Sequence, residues 1–213
     1  MPLKLYSHPF SSYSQKALIA LYENDIPFDY RMLEDPEASR EWAELWPLKR
    51  FPVLVDGTTT VFESTAIIEH LDAHHRGPLA LIHGDGVEVR MLDRFFDNYV
   101  MTPMQKIVLD HLRPDADRDA YGVAEARRML DAAYAWLDAR VADREWAAGV
   151  FSMADCAAAP SLFYADWVHP IDDRHPHARA YRQRLLARPS IARAVDEARP
   201  YRGYFPPGAP ERD

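Results

Sequence analysis

The chain has 213 residues, 48% of them hydrophobic, which is enough for one large domain or two modest ones with a packed core. Lys and Arg number 25 against 33 Asp and Glu, a net charge of −8, and no basic cluster is long enough to track a nucleic-acid backbone, so nucleic acid is excluded as a partner. Cys156 is the only cysteine, which rules out an intramolecular disulfide and a zinc site built on several thiolates.

No apolar run approaches the roughly 18 residues of a membrane span, and MPLKLYSHPF lacks the apolar core of a signal peptide, so a cytoplasmic protein that does not enter the membrane is expected. Residues 1–76 then alternate short apolar runs with helical stretches: KLYS, SYSQKALIALYEN, FDYRML, PEASREWAEL, PVLV, TTVF and STAIIEHLDAHH. The order is β-α-β-α-β-β-α. Asp56-Gly57 between the last two strands is a hairpin signal and makes them antiparallel neighbours.

Beyond Arg76-Gly77-Pro78 the pattern becomes helical, as in Leu130, Ala133, Tyr134, Leu137 and Val141. Roughly five helices are predicted, with breaks near Pro114, Gly149, Pro170, Pro176 and Pro189. The expected division is an α/β domain over 1–78, an all-helical domain over 86–200, and a Pro/Gly-rich tail over 201–213 that is either disordered or draped on the body. Ser152 and Asp155 have capping-box spacing, flanked by Phe151 and Cys156 as a hydrophobic staple, and read as structural.

Three local features carry chemistry. Phe51-Pro52 enters the strand PVLV, where a cis X-Pro bond would leave the peptide groups of Val53 free for an extended ligand; a trans Pro is the ordinary alternative. Glu63-Ser64-Thr65 opens a helix, offering unpaired N–H groups for a carboxylate and an anion for an ammonium, a combination that suits an amino-acid head group; plain N-capping is the alternative. Phe10-Ser11-Ser12-Tyr13-Ser14 lies between the first strand and first helix, where a hydroxyl can donate to an anion or simply cap.

In their order and spacing over residues 1–75, these features resemble the thioredoxin-like domain of soluble glutathione transferases. That resemblance implies a thioredoxin-like α/β domain plus an all-α helical bundle, glutathione as co-substrate, and no metal. It implies that Val53, with Phe51 and Pro52, meets the cysteinyl portion, that Glu63 and Ser64 hold the γ-glutamate, and that Arg50, or Lys49 in competition, meets the glycyl carboxylate. Ser11-Ser12-Tyr13-Ser14 is similar to the SSCS-like pattern of the zeta class, which implies Ser11 as the activating hydroxyl, with Ser12 and Tyr13 as alternatives. Tyr13 stands where that class has cysteine, which argues against zeta-type isomerisation. Lys49 replaces a family glycine, and a locally altered or strained loop is expected there.

The implied reaction is a detoxifying conjugation of glutathione thiolate to a small hydrophobic electrophile, with Phe10, Tyr13, Met101, Met104 and Tyr164 as candidate pocket residues; plain core packing is the alternative for these aromatics and methionines at helical spacing. A ligand-binding or interaction protein of the same fold is the alternative. A homodimer is implied, with Asp93, Arg94, Asp97 or Asn98 reaching toward the partner's γ-glutamyl site. Thiol-disulfide exchange is disfavoured because the first-helix position holds Ser11 and not cysteine. His70 and His74 share a helix face but lack a placed carboxylate, so no metal site is expected there.

Overall fold

The computed structural model describes residues 2–213. The first half contains β1 (Leu3–Ser7), α1 (Ser12–Glu23), β2 (Phe28–Met32), α2 (Pro36–Leu45), β3 (Val53–Asp56), β4 (Thr59–Phe62) and α3 (Ser64–His74). The sheet order is β2-β1-β3-β4, with β1 parallel to β2 and antiparallel to β3, and β3 antiparallel to β4. Alternation along the strands divides the sheet's two faces. Leu3, Leu5 and Leu54 join the main core with α1 and α3, whereas Tyr6 and Val53 form a smaller cluster with Ala38, Trp42 and Trp46 around α2.

The second half holds α4 (Val87–Phe95), α5 (Thr102–Asp110), α6 (Ala120–Arg140), α7 (Met153–Val168), α8 (Pro176–Leu186) and α9 (Pro189–Ala198). A π-helical stretch, Phe96–Met101, joins α4 to α5, so residues 87–110 run as one wound segment with a widened middle. Every residue of α7 from Met153 to Asp166 is buried, as expected for a helix apolar all round, and it packs on α1, α4, the π-helical stretch, α5 and α8.

The start of α7 is fixed by a capping box. Ser152 Oγ accepts from Ala154 N–H, and the Asp155 carboxylate accepts from Ser152 N–H at 2.9 Å, Ala147 N–H at 3.0 Å and Tyr181 O–H at 2.5 Å. Cys156, wholly buried next to it, has its thiol pushed far up by burial and is inert.

The halves are joined by polar links as well as apolar packing: Arg188 pairs with Glu23, and Tyr22 O–H donates to Glu197 at 2.6 Å. The C-terminal segment coils through a 3-10 turn, Arg199–Tyr204, buries Phe205, and ties Arg212 to Asp166.

Candidate active site

Ser11 is the N-cap of α1. Its Oγ accepts from Ser14 N–H at 3.3 Å and its N–H donates to His8 C=O at 3.0 Å, which leaves the hydroxyl proton for a group in front of the helix. Ser12, the next residue, is buried. Tyr13 is half-buried, and burial, reinforced by the negative charges of Asp97 and Glu63, pushes its phenol up to about 12. Tyr13 is therefore a neutral donor near neutral pH, not a base.

The loop preceding Ser11 is held from two sides. Gln15 donates from Nε2 to Pro9 C=O at 2.9 Å and to Tyr164 Oη at 3.1 Å, while Tyr164 O–H donates to Phe10 C=O at 2.9 Å. Phe10 N–H bonds His8 Nδ1 at 3.2 Å, and burial lowers the pKa of that imidazole. Neither Gln15 nor this use of Tyr164 is visible in the sequence, since the pair is 149 residues apart.

Opposite α1, the Phe51–Pro52 peptide is cis. Val53 is fully buried at the start of an interior strand and is registered opposite Tyr6 on one side and Phe62 on the other. Phe51, on the other side of the cis bond, is half-buried just outside the strand.

Lys49 has φ of +50°, which accounts for glycine being the easier residue there, and Lys49 and Arg50 are both exposed at the same rim. Trp42 Nε1–H donates to Arg50 C=O at 2.9 Å, which fixes the backbone under those two cations.

The third wall is the start of α3. Glu63 precedes the helix at φ 66°, ψ 125°, makes no side-chain cap bond and is exposed; Ser64 is buried. Such a backbone costs a non-glycine residue of order 1–3 kcal/mol and is held only where the surroundings impose it.

Those surroundings include an ionic cluster. Lys16, 1% exposed, places Nζ 2.6 Å from Asp93 Oδ1 and 2.8 Å from both Asp97 Oδ2 and Thr65 Oγ1, while Thr65 O–H donates to Asp93 Oδ2 at 2.9 Å. Arg94 closes the cluster on Thr65 and Asp93. Two cations and two carboxylates balance, as burial requires. Burial raises the Asp97 pKa, and Lys16 opposes that rise. Asp93 and Asp97, expected among residues reaching toward a partner chain, are thus committed within their own chain. Arg94 and Asn98 remain exposed.

Of the expected pocket residues, Phe10 and Tyr13 are half-buried at the site. Tyr164 lies beneath, 3% exposed, its ring edge-on to Phe10 at 5.4 Å. Met101 and Met104, at 1% and 4%, are core residues and not pocket walls, because the helical period places them on the inward face of the π turn and α5.

The C-terminal segment supplies what the sequence did not reveal. Phe205 packs 5.0 Å from Trp167 and 6.5 Å from Phe10, and Tyr201 sits edge-on to His8 at 4.6 Å. Clefts of about 350 Å³ beside Tyr22 and Arg193 and about 410 Å³ beside Asp166 and Arg182 do not include Ser11, Phe51 or Ser64. The site is defined by backbone and hydroxyl groups at one end of the sheet, not by either of these clefts.

A four-stranded mixed sheet with a cis-Pro ahead of β3, joined to helices built around a buried α7, defines a thioredoxin-like domain coupled to an all-helical one. The model of the N-terminal domain of glutathione S-transferases matches residues 5–79, and that of their C-terminal domain matches residues 120–184. A glutathione S-transferase of Silene vulgaris is 25% identical over 211 residues, covering 89% of this chain and 95% of its own length.

Among solved structures, a glutathione S-transferase of Methylobacillus flagellatus with GSH bound superposes with a TM-score of 0.80 at 25% identity, covering 90% of this chain and 98% of that one. One from Methylobacterium radiotolerans, in complex with glutathione sulfonate, gives 0.77 at 29% identity, covering 92% and 95%. The chain belongs to the glutathione S-transferase family.

Proposed function

We propose that this protein is a glutathione transferase that binds glutathione across the ends of α1, β3 and α3 and adds its thiolate to a small hydrophobic electrophile. The observation that carries the reading is the convergence of three binding elements: a hydroxyl at the N-terminus of α1, a backbone position beside a cis-Pro, and the Glu63-Ser64 start of α3. Together with the cations of the 49–50 rim they account for every part of the tripeptide, the α1 hydroxyl facing the thiol. Glu63 takes the γ-glutamyl ammonium and the helix start with Ser64 takes its carboxylate; the Phe51 backbone pairs with the cysteinyl residue; Lys49 or Arg50 meets the glycyl carboxylate.

The chemistry then requires an anion. A free thiol has a pKa of about 8.5, and lowering it by two units takes about 2.7 kcal/mol. A charge-assisted hydrogen bond from Ser11 supplies about 1.5–3 kcal/mol and the α1 N-terminus about 0.3–1 more, so no general base is needed. The thiolate sulfur attacks the electrophilic carbon, and the leaving group departs or the adduct takes a proton from solvent. Phe10, Tyr13 and the Phe205 segment form the apolar side of the pocket.

A homodimer is part of this reading. Val87, Met91 and Tyr99, 64%, 51% and 48% exposed, give the segment from α4 into the π turn an apolar outer face beside the exposed Arg94 and Asn98. The deciding experiment is steady-state conjugation with a panel of electrophiles, alongside calorimetric titration with glutathione. Binding together with turnover supports the transferase; binding with no turnover on any electrophile identifies a carrier or interaction protein, and no binding overturns both.

A further inference from the structure

At the far end of β3 from the cis-Pro, three side chains from two stretches of chain, the end of β3 and the C-terminal part of α3, meet. His70 Nε2 lies 2.9 Å and His75 Nε2 2.7 Å from the same oxygen, Asp56 Oδ2, and the three candidate donor atoms all lie within 4.8 Å of one another. The sequence suggested a different pair, His70 with His74. In the fold, His74 turns away: its ring stacks on His70 at 4.4 Å and its Nδ1 faces the His70 carbonyl at 3.0 Å.

His75 replaces it because it is the C-cap of α3, with φ −128° and ψ 52°, and that departure from helical geometry accompanies the placement of its ring beside Asp56. The missing carboxylate comes from the hairpin, where Asp56 closes β3 opposite Thr59.

We propose that Asp56, His70 and His75 form a binding site for a divalent cation of the zinc type, with water in the fourth position. The donor set selects the class. Two imidazole nitrogens and one carboxylate oxygen suit zinc, cobalt or nickel, whereas magnesium and calcium take shells of oxygen.

The geometry is close to what such an ion needs. Tetrahedral donors at about 2.0–2.1 Å from zinc stand about 3.3 Å apart, so the two N···O separations must open by only about half an ångström. The imidazole protons move to Nδ1, and each Nε2 lone pair turns to the ion. The side chains are 26%, 13% and 30% exposed for Asp56, His70 and His75, so an ion can enter from solvent without unfolding. Bound there, it clamps the β3–β4 turn to the end of α3. Asp56 is three residues along the strand from Val53, about 10 Å, so the site stands apart from the thiol chemistry.

The test uses the full chain after dialysis against a chelator, titrated with ZnCl₂ by calorimetry and with CoCl₂ by visible absorption. One equivalent per chain is expected, together with the intense d–d bands of tetrahedral cobalt and a zinc-dependent rise in thermal midpoint. Asp56→Asn, His75→Ala and His70→Gln should each weaken zinc binding at least about 100-fold, while His74→Ala leaves it unchanged.

The midpoint of each variant in chelator, set against that of the wild type, shows whether it has folded. The proposal fails if the wild type binds zinc no more tightly than the Asp56→Asn/His75→Ala double variant. It also fails if His74→Ala weakens binding as much as His75→Ala, or if cobalt gives only the weak bands of an octahedral aquo ion.

Discussion

Replacing Ser11 with alanine removes two interactions at once, and the structure separates them. As N-cap, Ser11 Oγ accepts from Ser14 N–H at 3.3 Å, a long bond, so its loss should cost about 1 kcal/mol of stability. As donor, the hydroxyl contributes about 1.5–3 kcal/mol to a thiolate in front of α1, so the bound thiol's pKa should rise by about 1–2 units. Turnover at neutral pH should then fall roughly tenfold as the thiolate fraction drops.

The assay is pH titration of the thiolate ultraviolet band in the glutathione complex, run beside a thermal melt. Ser11→Asp retains the capping acceptor and brings a negative charge, so it should preserve the melt while raising the thiol pKa further. Ser11→Thr keeps both roles. If Ser11→Ala shifts the melt but leaves the thiol pKa within about 0.3 unit of wild type, the reasoning is refuted and the donor is Ser12 or Tyr13.

Three further outcomes follow from the same geometry. Lys16→Met leaves Asp93 and Asp97 buried without their shared cation and should cost about 3–5 kcal/mol in chemical denaturation, with part recovered by adding Asp97→Asn. Glu63→Gly relieves the φ 66° backbone and should stabilise the fold by about 1 kcal/mol while weakening glutathione in calorimetry; a variant that binds glutathione as well as wild type would remove Glu63 from the site. Tyr13, raised to about 12 by burial, stays protonated as pH climbs through the ordinary tyrosine range, so the alkaline limb of the rate profile up to about pH 11 should be the same in Tyr13→Phe, and the ultraviolet titrations of wild type and Tyr13→Phe should coincide near pH 10.

What could be read from the sequence was whatever a short stretch determines by itself. Residues 51–71 carry the strand entry, the Asp56-Gly57 turn and the start of α3 within one continuous run, and Ser152 with Asp155 needs only capping-box spacing. What could not be read depends on distant chain. Asp93 and Asp97 resemble an exposed polar face until Lys16 is seen between them, though Leu92, Phe96 and Val100 beside them hinted at burial. Met101 and Met104 read as pocket wall or as core alike, because periodicity identifies an apolar face without saying what it faces.

The bond from Tyr164 O–H to Phe10 C=O, with Gln15 bridging to the same phenol, bears on how such proteins can be recombined. It makes the two halves a matched pair and not interchangeable cassettes. A helical half grafted from a relative with phenylalanine at the place of Tyr164 would leave the Phe10 carbonyl and the Gln15 amide each short of a partner just behind the reacting sulfur. Such a chimera could fold and hold glutathione while presenting Ser11 at the wrong angle, and its defect would be in kcat rather than in expression or affinity.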